Sequence, residues 1–176
     1  MTKRAVIKDL QNRLAQRIQS ARNDPVAPAW LAVLAGEKHY LLPLNQSGEI
    51  FPLASIARVP YAAAWFAGVV NLRGGLYGVV DLAKLLDGAL APVRSEQSWA
   101  TVRLITFNPE LEINCALMVD GLAGLRRADV FSGVEAAAPG SAPYLGSRYL
   151  DGEGRQWQEL DVRLLSQTSG FLNIGA

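Results

Sequence analysis

Cysteine and histidine are nearly absent from this sequence: Cys115 and His39 each stand alone among 176 residues. One cysteine forms no internal disulfide and brings no second thiol to a zinc site, so a reducing compartment is expected. Cys115 alternates with Ile113 and Leu117 on an apolar face, which predicts a neutral, inert thiol. His39 lies in a strand pattern and reads as a surface or partly buried side chain with no acid–base task. Excess charge is also missing. Seventeen basic against 16 acidic residues give a formal charge of +1, too little to draw in nucleic acid or an anionic membrane surface. No apolar run reaches the roughly 18 residues of a membrane span. The start, Met1 to Leu10, carries Lys3, Arg4, Lys8 and Asp9 with no apolar stretch behind them, unlike a secretory signal. A cytoplasmic protein without direct membrane insertion is expected. Gly152-Glu153-Gly154 lacks the lysine and helix of a phosphate loop, and Arg126-Arg127 is a short solvated basic spot. No cofactor, metal or catalytic site is implied, and the chain reads as a non-enzyme.

Half the residues are hydrophobic, enough for one domain to bury its own core. From Lys3 to Arg22, Val6, Leu10, Leu14 and Ile18 recur every four positions, the period of an amphipathic helix. Pro25 and Pro28 then enforce an extended linker. The expected organisation is a helix and linker over 1–27, a domain over 28–169 and a tail over 170–176. Within the domain the period shortens. Apolar runs at Trp30 to Leu34, Tyr40 to Leu44, Ser55 to Val59, Gly68 to Val70, Leu76 to Val80, Thr101 to Phe107, Ile113 to Val119 and Leu122 to Arg126 alternate with turn residues. These predict antiparallel strands closing into one or two barrels. Asp81 to Leu86 reads as a short helix capped by Asp81 and stopped at Asp87-Gly88. Glu135 to Ser147 reads as a loop, and Leu160 to Leu165 as a final helix.

The densest signal is Gly68-Val69-Val70-Asn71-Leu72-Arg73-Gly74-Gly75-Leu76-Tyr77-Gly78-Val79-Val80-Asp81-Leu82. It spells strand, turn, strand, helix cap. Asn71 and Gly74 are expected to supply the positive φ of the turn and to hold Arg73 outward. This string resembles the GVxNLRG hairpin and following Asp-Leu of CheW-like coupling domains. Arg58-Val59-Pro60 and Met118-Val119-Asp120-Gly121-Leu122 resemble two further strands of that family, so the likeness runs from about Trp30 to Leu165. Gly78 stands where the family usually has proline, and Glu135 to Gln158 matches poorly. The first helix and the tail from Gly170 to Ala176 resemble the pilus, or twitching-motility, branch of the family (PilI-like) more than its flagellar branch.

The resemblance implies a mainly β fold of two small five-stranded barrels with short helices and a hydrophobic groove between them. It implies a non-catalytic adaptor that binds the regulatory domain of a CheA-type histidine kinase and the cytoplasmic tip of a chemoreceptor, recruited to membrane-bound receptor arrays. Arg73 would be the coupling residue, against its plain reading as an exposed turn arginine. Glu49, 24 positions upstream, matches the family's glutamate and would meet it across the barrel surface. Asn71, Leu72 and Gly74 belong to the same partner-binding hairpin. Gly68, Leu122 and Leu125 match positions lining the receptor groove, although for the leucines core packing is the ordinary reading. Asp120-Gly121 reads as a turn, since one carboxylate without a partner acid supports no chemistry. A different class, a small barrel binding a small ligand or single-stranded nucleic acid, stays open.

Overall fold

The computed structural model describes residues 29–175; the helix expected over Lys3–Arg22 lies outside the described residues. The strands are β1 (Ala29–Ala35), β2 (Lys38–Pro43), β3 (Ser47–Pro52), β4 (Phe66–Leu72), β5 (Gly75–Asp81), β6 (Arg103–Phe107), β7 (Cys115–Val119), β8 (Gly121–Arg127), β9 (Phe131–Glu135), β10 (Leu145–Asp151) and β11 (Gln156–Leu160). Three short helices accompany them, α1 (Leu82–Asp87), α2 (Val162–Ser166) and α3 (Ser169–Leu172). The mainly β, two-subdomain class is the one observed. The first sheet runs β8-β1-β2-β11-β10-β9 and the second β3-β6-β7-β5-β4, so the first has six strands where five were expected. Most neighbours are antiparallel, but β5 with β7 and β2 with β11 run parallel.

Both sheets curl. In a flat sheet, strands four steps apart would lie about 19 Å from each other. Yet Trp30 of β1 meets Phe131 of β9, four steps away, with ring centroids 6.1 Å apart. In the second sheet β3 and β4 are opposite edges, and Ala57, just past β3, exchanges two backbone hydrogen bonds with Val69 of β4 at 2.8 and 2.9 Å. The run expected as a strand at Ser55 to Val59 is therefore a single bridge across the barrel seam. The true β3 lies earlier, where Gln46-Ser47-Gly48 reads as a break. Gly48 is required there because any Cβ would strike Thr106 and the Phe107 carbonyl.

Three cores result from strict alternation along the central strands. On β1, Leu31, Val33 and Ala35 face the space between the sheets, while Trp30 and Ala32 face the interior of the first. On β7, Leu117 and Val119 join that shared core, while Ala116 and Met118 fill the second interior. Strands buried on both faces cannot show the apolar–polar alternation of an exposed sheet, which is why these segments read as continuous apolar runs. Phe171 of α3 completes the shared core, stacked between Trp65 and Phe107 with ring centroids 6.0 Å from each.

Asp81 caps α1 as expected, its Oδ1 accepting from the Lys84 N–H, and Gly88 ends the helix at φ +56. Asp161 caps α2 the same way, accepting from the Leu164 N–H at 2.8 Å. The region expected to be loop from Glu135 to Ser147 gives up both ends, to β9 and to the start of β10.

Candidate partner-binding surface

The β4–β5 hairpin turns on two residues. Leu72 pairs with Gly75, leaving Arg73 at φ +49 and Gly74 at φ +86, the two positive values that a type I′ turn demands. The positive φ thus falls on Arg73 itself and not on Asn71, which belongs to β4. The Asn71 side chain instead accepts from the Gly74 N–H at 2.9 Å and ties the turn to its strand. Leu72 is buried in the second sheet's core, so its part in the hairpin is anchorage. A non-glycine residue in this region is strained by about 1–2 kcal/mol, and here the strained residue carries a guanidinium into solvent.

That guanidinium is not loose. Arg73 Nη1 stands 2.6 Å from Glu49 Oε2, and the ion pair spans the two edges of the second sheet. Its Cζ lies 5.5 Å from the centre of the Phe51 ring. Glu49 sits in a bulge: three steps on β3, from Ser47 to Ile50, oppose two on β6, which re-aims the side chain. Ile50, next to Glu49 on β3, and Leu76, opposite Asn71 on β5, are both exposed. The two sequence-predicted charges are brought together as expected.

Gly68 answers to backbone. It lies buried at φ +136, and a Cβ would fall inside the Ala57 carbonyl across the seam. Whatever it faces, no other residue lets β4 and the Ala57 segment close.

Leu122 and Leu125 are not core. They are 38% and 64% exposed on the edge strand β8. Three residues apart, they would ordinarily face opposite ways. A bulge at Ala123-Gly124, with Gly124 at φ +86, changes this: Leu122 opposes Val33 and Leu125 opposes Leu31. Both leucines thereby share the face that looks between the sheets, and extend the shared core into solvent as an apolar ledge.

One cluster had no signal in the sequence. Arg94 is 8% exposed and grips Asp81 with two nitrogens, Nη1 to Oδ2 at 2.6 Å and Nη2 to Oδ1 at 3.0 Å, while its Nε binds Asp120. Asp120 lies in the turn between β7 and β8 and has no partner near it in sequence, as read; its cation Arg94 is 26 positions away, and the second acid that Arg94 holds, Asp81, is 39. Asp120 also accepts from the Gly36 N–H, and its own N–H donates to Leu34 O at 2.8 Å. The cluster joins β5 of the second sheet to β1 of the first.

The remaining reactive groups stay apart. Burial pushes the Cys115 thiol up to about 11, as its apolar strand face predicts. His39 packs edge-on to Trp157 with ring centroids 4.8 Å apart. Gly152-Glu153-Gly154 forms the β10–β11 turn, in which Asp151 accepts from the Glu153 and Arg155 N–H groups and from Trp157 Nε1. Those bonds, the indole's first, hold its carboxyl well below the usual range. Among the described residues no cluster of metal-ligating side chains occurs and no helix is long and apolar enough to cross a membrane.

Protein PilI of Pseudomonas aeruginosa is 25% identical to this chain over 142 residues, which cover 79% of the chain and 75% of that protein. The crystal structure of the scaffolding protein TtCheW from Thermoanaerobacter tengcongensis superposes with a TM-score of 0.65 at 18% identity, covering 82% of this chain and 95% of that one. The fold is therefore shared. The family model of the CheW-like domain matches residues 29–169. The chain belongs to the CheW-like domain family.

Proposed function

We propose that this protein is a non-catalytic cytoplasmic adaptor that couples a chemoreceptor to a CheA-type histidine kinase, in the chemosensory system that controls type IV pili and twitching motility. The observation that carries the reading is Arg73: an arginine on a strained turn, aimed by a bulged glutamate and an aromatic ring, with exposed Ile50 next to that glutamate on β3 and exposed Leu76 on β5. Fold stability gives no reason for this arrangement, since an exposed pair contributes about 0–1 kcal/mol. A docking surface does. Apolar flanks supply burial and the guanidinium supplies a directed donor fork. We assign this hairpin surface to the kinase regulatory domain and the Leu122–Leu125 ledge between the sheets to the receptor tip. Membership of the family supports the adaptor role, and likeness to PilI supports the pilus branch.

Reconstitution tests it. The full chain, the pilus kinase and its receptor are combined and kinase autophosphorylation is followed. Receptor-dependent activity that requires this protein is the expected result, and activity indifferent to it refutes the assignment. Restoration of twitching, and not of swimming, in strains lacking the respective adaptor would separate the pilus branch from the flagellar one.

A further inference from the structure

A cleft of about 550 Å³ opens at the end of the second sheet's interior. Its inner wall is Leu53, Ile56, Ala67 and Met118, all part of that sheet's core, and Phe66 and Trp99 close its sides. The space exists because small residues, the run Ala62-Ala63-Ala64 above all, stand where the chain passes over the barrel end. That passage is fixed in place: Ala57 is bridged to Val69 on one side, and the Ala63 N–H donates to Ile174 O at 2.8 Å on the other. Between them Tyr61, 91% exposed, is held at φ +56.

The ionisable groups of the cleft are Arg58, Lys84 and Asp81. Asp81 is 1% exposed and both its oxygens are taken by Arg94. Lys84 Nζ stands 4.0 Å from it with half its side chain in solvent. Arg58 makes no ion pair with another described residue. Two cations thus stand at the mouth, over a floor that includes Ile56, Ala67 and Met118, and the volume lies within the roughly 300–1,000 Å³ typical of small-molecule sites.

We propose that this cleft binds a small amphipathic carboxylate, its apolar body against Ile56, Ala67 and Met118 and its carboxylate between Arg58 and Lys84. Burial of the body displaces water from apolar walls, and the two cations supply charge-assisted contacts that a neutral or cationic analogue forfeits. Arg73, Glu49, Leu122 and Leu125 do not line the cleft, so the proposal stands apart from the adaptor surfaces.

The test uses the full chain and 10-bromodecanoate, whose bromine quenches nearby indoles. Saturable quenching that is lost in Trp99→Phe is expected. Decylamine should fail to compete, whereas decanoate should compete fully. The double variant Arg58→Gln, Lys84→Gln should weaken binding roughly tenfold or more, with an unchanged melting curve because both side chains lie at the rim. Ala54→Leu, which fills the cleft, should weaken it independently. Absence of saturable quenching overturns the proposal. So does binding that the charge variant leaves unchanged, or that decylamine displaces as well as decanoate, since either outcome means apolar adhesion without a built site.

Discussion

Arg73 and Arg94 each hold a carboxylate oxygen 2.6 Å from Nη1, and equal distances conceal unequal physics. Around Arg73 water surrounds both partners, whose side chains are 74% and 59% exposed. The solvent screens that pair, and breaking it strands no charge. Around Arg94 the partners Asp81 and Asp120 are 1% and 20% exposed, the indole of Trp99 lies 5.3 Å from the guanidinium, and through Asp120 the cluster reaches the first sheet. The nearby carboxylates raise the Arg94 pKa against the burial that would lower it. Burial, more than separation, decides whether an ion pair belongs to the architecture or to the solvated surface.

Breaking the buried side should have the largest effect. Arg94→Ala leaves two carboxylates without their cation, a change that costs about 3–5 kcal/mol. At roughly 2–4 °C per kcal/mol for a domain of this size, thermal unfolding should shift down by about 6–20 °C. A loss below about 1 kcal/mol would show that Asp81 and Asp120 find water instead.

Strong alkali tests burial by itself, through two buried groups outside both ion pairs. Burial holds Cys115 up to about 11 and Tyr40 up to about 12, with Asp87 adding to the latter. Below about pH 7 both groups are protonated whether the chain is folded or not. Above it the unfolded chain gives up the two protons while the fold keeps them, so stability falls between about pH 9 and 12. Each unit of displacement removes about 1.4 kcal/mol. In denaturant titrations Cys115→Ala should remove the earlier part of this decline.

At the exposed arginine, Arg73→Ala should leave the melting temperature within about 2 °C while weakening coupling roughly thirtyfold, as the loss of an anchor arginine does. Arg73→Gly sharpens the contrast. Glycine accepts φ +49 without strain, so about 1 kcal/mol of relief offsets the lost pair. The variant should melt no lower than the parent, and up to about 3 °C higher, yet couple no better than Arg73→Ala. Parental coupling by either variant would leave Arg73 a plain turn residue. The smallest effect is expected of Glu49→Gln: less than about 1 kcal/mol in stability and a measurable but partial loss of receptor-dependent kinase activity, because the glutamine still reaches Arg73 without the charge.

The hairpin, its arginine and the capped helix after it were legible because each rests on neighbours in sequence: a turn dipeptide, alternating apolar residues and an acidic cap. Pairing Glu49 with Arg73 needed the family resemblance, since nothing local links residues on opposite sheet edges. What sequence reading missed is tertiary. β3 hides behind a glycine that looks like a break but is demanded by Thr106 on another strand. The weakly β-branched β10 and β11 become strands through distant partners, β11 lying beside β2. The exposure of Leu122 and Leu125 follows from one extra residue in β8, which shifts a face without changing the apolar pattern. Arg94 sits in a polar loop and acquires its meaning only when two distant aspartates arrive.

The order of the strands bears on how the protein is made. All of the second sheet comes from residues between Ser47 and Val119, in one uninterrupted stretch, whereas the first sheet joins β1 and β2 to strands that end at Leu160. A ribosome therefore delivers the whole second barrel while the β1–β2 hairpin still lacks both of its neighbours, and an isolated hairpin is marginal in water. During synthesis that hairpin must shelter its inter-sheet face on the completed barrel and leave Trp30 and Leu41 uncovered until Trp157 emerges. Nascent chains halted once Val119 has cleared the ribosome should accordingly resist protease over the second barrel and remain chaperone-bound at the first.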